Sequence, residues 1–259
     1  MNEVELELAA ESLLTADTRS VPTSRISERW PNVTLENAYA ISARVAEKKY
    51  AAGQKLIGHK VGLTSKAMQA ASKIDEPDYG HVFDSMLIPN GAKIDHSRFC
   101  VPRVEPELTF VLKASLQGPS ITLVDVLRAT EYVVPSIEII DARVEEPRKI
   151  FDTVADNGAG AGLILGGRPS KPEDINLAYV GAALLRNNEV EETGLAMGVL
   201  THPAASVAWL ANKLSQIGRS MEPGHLILSG SFTRPVWAVA GDTITADFGS
   251  LGTVSVGFA

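Results

Sequence analysis

The chain has a single cysteine, Cys100, among 259 residues. No intrachain disulfide can form, so packing alone must hold the fold, and the thiol usage fits a reducing, cytoplasmic setting. Cys100 sits between Phe99 and Val101 and reads as a small hydrophobe rather than a nucleophile. Positive charge is also scarce: 24 lysines and arginines face 31 acids, a net charge of −7. No basic patch dominates, which argues against a nucleic-acid partner. No apolar run approaches the roughly 18 to 20 residues that span a bilayer. The first residues, with Glu3, Glu5, Glu7 and Glu11, have neither the positive start nor the apolar stretch of a secretory signal. No membrane role is therefore expected. A P-loop and a G-x-S-x-G elbow are missing too, and the histidines at 59, 81, 96, 202 and 225 show no zinc spacing. The segment 156–167, DNGAGAGLILGG, is rich in glycine but fails the dinucleotide-binding spacing.

What is present suffices for a full core without staples: 45% of the residues are hydrophobic. Leu6, Ala9, Ala10, Leu13 and Leu14 recur at three- and four-residue spacing and predict a first helix. Pro22 marks a break. Thr34 caps a second helix whose apolar face is Ala38, Ile41, Val45 and Ala46, and Gly53 ends it. From residue 55 the pattern changes to short β-rich runs, over 55–63, 86–88, 108–112, 133–140, 162–165, 180–186, 225–228, 236–239, 243–248 and 253–258. Two helices, 123–129 and 204–214, interrupt them. Clustered strands without regular strand–helix alternation predict an α+β fold. The expected organisation is an N-terminal helical segment, 1–54, packed on one catalytic domain, 55–259.

The stretch RVEPELTF, 103–110, carries Glu105 and Glu107 two apart in an extended run. Alternate strand residues share a face, so both carboxylates point the same way. A second run, PSIEIID at 135–141, places Glu138 among isoleucines, where a lone acid is costly without a partner. Three carboxylates on two strands suit a hard cation with oxygen ligands, Mg²⁺ or Mn²⁺. The open alternative is a solvent-facing Glu105 and Glu107, with Glu138 paired to Arg103 or Arg143.

Lys60 lies inside a predicted strand between Ile57 and Val61. A strand lysine beside such a site is a candidate proton-transfer group; the alternative is a surface lysine. His59 points to the opposite face and reads as structural. Residues 75–80, DEPDYG, have turn composition, and Asp78 there is either a water-activating base at a loop tip or a solvated turn residue.

Taken together, GHKVGLTSKAMQ (58–69), IDEPDYG (74–80), RVEPELTFVL (103–112), PSIEIIDAR (135–143), FDTVADN (151–157), LTHPAASVAWLANKL (200–214) and SGSFTRPV (229–236) resemble the 2-oxo-dienoate hydratase and 4-oxalocrotonate decarboxylase family, within the fumarylacetoacetate-hydrolase-like group. The resemblance runs from about residue 31 to the C-terminus. It implies a fumarylacetoacetase-type mixed β-roll, a Mg²⁺ or Mn²⁺ ion on Glu105, Glu107 and Glu138, catalytic roles for Lys60 and Asp78, and a homo-oligomer. An acid at Asp78 favours hydration of a 2-oxo or 2-hydroxy-dienoic acid over decarboxylation. SGSFTRPV looks most like the hydratases of seven-carbon dicarboxylic substrates in aromatic catabolism, which makes Ser231 and Arg234 candidates for substrate binding. The segment between Arg143 and Pro147 is shorter than the family pattern and bears on the pocket mouth. Four alternatives stay open: hydration of the five-carbon 2-hydroxypenta-2,4-dienoate, 4-oxalocrotonate decarboxylation, acylpyruvate hydrolysis, and a non-catalytic partner role beside a pathway decarboxylase or aldolase.

Overall fold

The computed structural model describes residues 1–259, the side chain of Ala71 excepted. Both anticipated N-terminal helices are present. Helix α1 (Glu3–Arg19) starts at a capping box between Asn2 and Glu5. After the short α2 (Ile26–Arg29), helix α3 (Leu35–Ala51) starts at a second box between Thr34 and Asn37. Each box satisfies two otherwise orphaned backbone groups. Leu6 and Leu13 of α1 and Ile41 and Val45 of α3 form an apolar cluster with Val154 and Ala155 of α6 (Ile150–Ala155).

The rest of the chain builds two sheets. Strands β1 (Leu56–Gly62), β2 (Asp78–Phe83), β3 (Leu87–Ile88), β4 (Lys93–Ile94), β5 (Pro102–Leu112), β6 (Thr130–Asp141), β7 (Gly160–Leu165), β8 (Gly181–Arg186), β9 (Glu189–Leu195), β10 (Leu226–Leu228), β11 (Val236–Trp237), β12 (Thr243–Asp247) and β13 (Thr253–Phe258) appear in chain order. The larger sheet runs β2-β1-β10-β5-β6-β7-β3, with β11 joined to β5, and the smaller runs β4-β13-β12-β8-β9. Helices α4 (Lys66–Ser72) and α5 (Leu123–Ala129) join strands of the larger sheet, and α7 (Pro203–Ser215) leads from the smaller sheet back to the larger. The main core brings together Phe110 and Ile137 of the larger sheet, Ile244 and Val254 of the smaller, and Val207 and Leu210 of α7.

Three differences from the sequence reading affect the site. Strand β5 begins at Pro102, not at 108, so the whole RVEPE run lies in the ladder against β6. Residues 78–83, half of which read as turn, form β2, and all six are buried. Asp78 is therefore not at a loop tip; it opens a strand, because the turn residues end at Pro77 and β-favouring Tyr79, Val82 and Phe83 follow. Helices α4 and α6 are too short to show a periodic apolar face, and β9 was missed because most of it is exposed.

Candidate metal and catalytic centre

The β5–β6 register builds the acidic cluster. Glu105 pairs directly opposite Glu138, and Glu107, two residues on, shares their face. One oxygen from each of the three carboxylates lies within 4.8 Å of the others. Glu107 and Glu138 are each 1% exposed. The Gly230 backbone N–H donates to Glu107 Oε2 at 2.8 Å, while neither carboxylate oxygen of Glu138 has a hydrogen-bond partner. Burial raises all three carboxyls above their ordinary range, and repulsion from Glu138 and Glu105 pushes Glu107 further up. Three clustered acids, two of them buried and one of those with both oxygens orphaned, are unstable as a bare trianion. A divalent cation with hard oxygen ligands supplies the missing charge, so these residues fit such an ion.

Lys60 projects from β1 onto the same face. Its Nζ donates to the Gly158 carbonyl at 3.0 Å and lies 3.6 Å from Glu138 Oε1, too long for a hydrogen bond but close for an ion pair. Burial works against its charge, but Glu138, Asp78, Glu105 and Glu107 outweigh burial and hold the ammonium protonated. The surface-lysine alternative does not apply, since Lys60 is 4% exposed. Asp78, on β2, faces the same space with Oδ1 unpartnered. Burial raises its carboxyl, opposed by the Lys60 charge and the Gly62 backbone.

Glycines make room for this pair. A Cβ on Gly62 would stand 2.2 Å from Asp78 Oδ1 and 3.1 Å from Lys60 Nζ, and one on Gly158 would stand 3.2 Å from Lys60 Cδ. The segment dismissed as a nucleotide loop is thus a wall of the site. Its spacing signals no known ligand, but its glycine density does signal close approach. Arg143 fixes that wall. Its guanidinium pairs with Asp156 at 2.5 Å and donates to the Gly160 carbonyl at 3.2 Å. Glu138 is therefore not the partner of Arg143, and Arg103 lies over the Trp237 ring instead.

The remaining candidates lie further out. Ser231 is half-buried on the loop after Gly230 and donates to the Thr233 carbonyl. The Arg234 side chain is 81% exposed and pairs with Glu192 at 2.6 Å. His59 lies on the opposite face of β1, packed against His81 and His225. Burial pushes the Cys100 thiol up to about 12, which removes it as a thiolate nucleophile.

No protein-family model matches the chain. It is 50% identical to the 2-oxo-hept-4-ene-1,7-dioate hydratase of Escherichia coli over 97% of both chains. The chain belongs to the family of 2-oxo-dienoate hydratases and 4-oxalocrotonate decarboxylases. The 4-oxalocrotonate decarboxylase from Pseudomonas putida G7, solved with magnesium and adipate, matches with a TM-score of 0.97 at 35% identity, over 100% of this chain and 99% of that one. The fumarylpyruvate hydrolase of Pseudomonas aeruginosa, solved with Mn²⁺ and pyruvate, shares the fold alone, with a TM-score of 0.62 at 13% identity over 78% of this chain and 88% of that one. The α+β roll of the fumarylacetoacetase type expected from the motifs is the fold observed. No helix is long and apolar enough to cross a membrane.

Proposed function

We propose that this enzyme of the hydratase and decarboxylase family is a metal-dependent hydro-lyase that adds water to 2-oxohept-4-ene-1,7-dioate, giving 4-hydroxy-2-oxoheptanedioate. Identity of 50% to a hydratase of that substrate along almost the whole chain supports the reaction. The observation that carries the mechanism is the placement of Lys60 and Asp78, both buried, on the sheet face that holds the three glutamates.

Glu105, Glu107 and Glu138 are the ligands proposed for Mg²⁺ or Mn²⁺. When bound, the ion supplies a Lewis acid that stabilises negative charge developing on the substrate's oxygen at carbon 2. Lys60 holds a proton at Nζ, with the Gly158 carbonyl fixing its direction. As the dienol becomes the conjugated 2-oxo-3-enoate, it gives that proton to carbon 5 and recovers one from the enol O–H. Neutralising the carboxylates that hold Lys60 charged lowers its proton affinity toward the range of a shuttle. The free Oδ1 of Asp78 orients a water toward carbon 4. It takes the water's proton as the C–O bond forms and the C3–C4 π pair shifts toward the oxygen on carbon 2; that proton is then returned to carbon 3. Ser231 and Arg234 are proposed on the substrate's path, at the loop whose Gly230 amide holds Glu107.

The test is a chelator-stripped enzyme resupplied with Mg²⁺ or Mn²⁺ and given 2-hydroxyhepta-2,4-dienedioate. Metal-restored loss of ultraviolet absorbance, with a product one water heavier, is expected. Resemblance to a decarboxylase over the full chain favours a second reading, and metal-dependent release of CO₂ from 2-oxo-3-hexenedioate would replace the first with it.

A further inference from the structure

A dicarboxylic substrate held by its 2-oxo acid end leaves a second carboxylate to be recognised. Arg234 is largely exposed and already has Glu192 as its carboxylate. A different arginine is built into the wall of the site. Strand alternation puts Arg103 on the same face of β5 as Glu105 and Glu107. Its Cα pairs with that of Trp237 on β11, and its guanidinium carbon stands 5.0 Å from the indole centre. Arg103 is half-buried, yet among the described residues its guanidinium has neither an ion pair nor a hydrogen-bond partner. A half-buried fork with no acceptor from the protein is free to take a carboxylate from a ligand.

The segment after β6 carries a second cation, Arg148. Its own side chain is 11% exposed and is fixed by Glu146 at 2.5 Å and by the Val144 carbonyl at 3.2 Å. Arg148, Lys73 and Lys149 also line a cavity of about 460 Å³ together with Leu63, and Leu63 follows Gly62, which abuts Asp78 and Lys60. Arg148 is thus already matched by Glu146, and Arg103 is the arginine on the glutamate face left without a carboxylate.

We propose that Arg103 binds the distal carboxylate of the seven-carbon dienedioate and sets the preference for dicarboxylic over monocarboxylic acids. The inference rests on the hydratase reading above. Arg103 is one strand repeat, about 7 Å, from Glu105 along the backbone, and its side chain adds reach. That span suits an extended seven-carbon acid, while a five-carbon acid ends short of it and carries no second charge. The planar fork matches a carboxylate bidentately, and the Trp237 ring holds the guanidinium in place.

The experiment compares the full chain with Arg103→Met and Arg103→Lys, all in Mg²⁺. Hydration of 2-hydroxyhepta-2,4-dienedioate and of 2-hydroxypenta-2,4-dienoate is followed, and binding of saturated heptanedioate is titrated by calorimetry. Losing a charge-assisted contact predicts a fall in kcat/KM of about 10- to 100-fold for Arg103→Met on the dienedioate, through KM, with a change within about twofold on the pentadienoate. Heptanedioate binding should weaken by a similar factor. Arg103→Lys keeps the charge and the stem but not the fork, and should lose less on the same acid only. If Arg103→Met does not fold, Arg103→Lys carries the comparison. Equal losses on both acids or an unchanged preference would overturn the assignment. Wild type that hydrates neither acid would defeat the hydratase reading, and heptanedioate binding would still report on Arg103.

Discussion

The two faces of the larger sheet are made by the same strands and have opposite character. On one face Leu108, Phe110, Ile137, Ile139 and Ile164 are wholly buried in the main core. On the other, one residue out of step, stand Glu105, Glu107, Glu138 and Lys60. Strands β5 and β6 contribute to both, so the segments VEPEL and IEI are each read twice, once for stability and once for chemistry. A slip of one residue in this register would carry carboxylates into the core and leucine into the site. The apolar face is satisfied as it stands. The polar face is not, since Glu138 and Asp78 keep unpartnered oxygens. Unmet polar groups on one side of an otherwise complete ladder mark where a ligand belongs.

Breaking the polar face should therefore cost activity and spare the fold. The largest effect expected is from Glu107→Gln or from chelation. Losing a Lewis acid worth several kcal/mol lowers kcat by on the order of 10³-fold or more, which a resupply assay reads directly. In metal-free protein the same Glu107→Gln should raise the unfolding midpoint, because it removes one of three mutually repelling buried charges and leaves an oxygen for the Gly230 N–H. A lower midpoint would mean that the cluster is not a repulsive one. Next come Lys60→Ala and Asp78→Asn, each expected to lower the hydration rate about 100- to 10,000-fold as positioned proton-transfer groups do. Metal affinity, measured by calorimetry, should persist in both; near-full rates in both variants would remove Lys60 and Asp78 from the mechanism.

Breaking the apolar face should do the reverse. Leu108 is 0% exposed and lies between Glu107 and Thr109 in sequence. Leu108→Ala is expected to cost about 2 to 5 kcal/mol of stability, as buried leucine truncations do, with kcat per folded molecule close to wild type at low temperature. Denaturant midpoints beside active-site titration separate the two. A large kcat loss in folded Leu108→Ala would show that the faces are not independent.

Much of this division was legible in the residues themselves. The alternation of Glu105 and Glu107 fixed their common face, and an acid among isoleucines at Glu138 asked for a partner. Direction and register were not legible. Nothing local tells that β5 and β6 pair so that Glu105 meets Glu138, because that pairing depends on contacts across the whole sheet. Asp78 follows Asp75, Glu76 and Pro77, whose turn composition outweighs the strand pattern that starts there. The Gly158 wall shows in the sequence only as glycine density, without the spacing of a nucleotide loop. Arg103 is one of two arginines the sequence offers Glu138, and it lies over the Trp237 ring instead.

The smallest effect expected lies behind β1, where the apolar face turns briefly polar. His81 is 5% exposed, and its ring meets Asn157 Oδ1 at 3.2 Å and packs against His59, Tyr79 and Phe83. Burial lowers its pKa from 6.5 to about 4, with the Asn157 contact opposing and the Arg219 charge assisting. The unfolded chain takes up this proton near pH 6.5 and the folded one only near pH 4. Between those values the unfolded state binds more protons, so stability is full above pH 6.5 and falls as the pH drops toward 4. At about 1.4 kcal/mol per pKa unit the loss is at most about 3.5 kcal/mol. Asp156, raised to about 6 by burial against the opposing pull of Arg143, contributes with the opposite sign over much of this window. The difference between wild type and His81→Asn, both metal-free, isolates the histidine. Urea midpoints at pH 7 and pH 4.5 should converge in the variant relative to wild type, and parallel losses in the two proteins would show that His81 does not titrate behind the site.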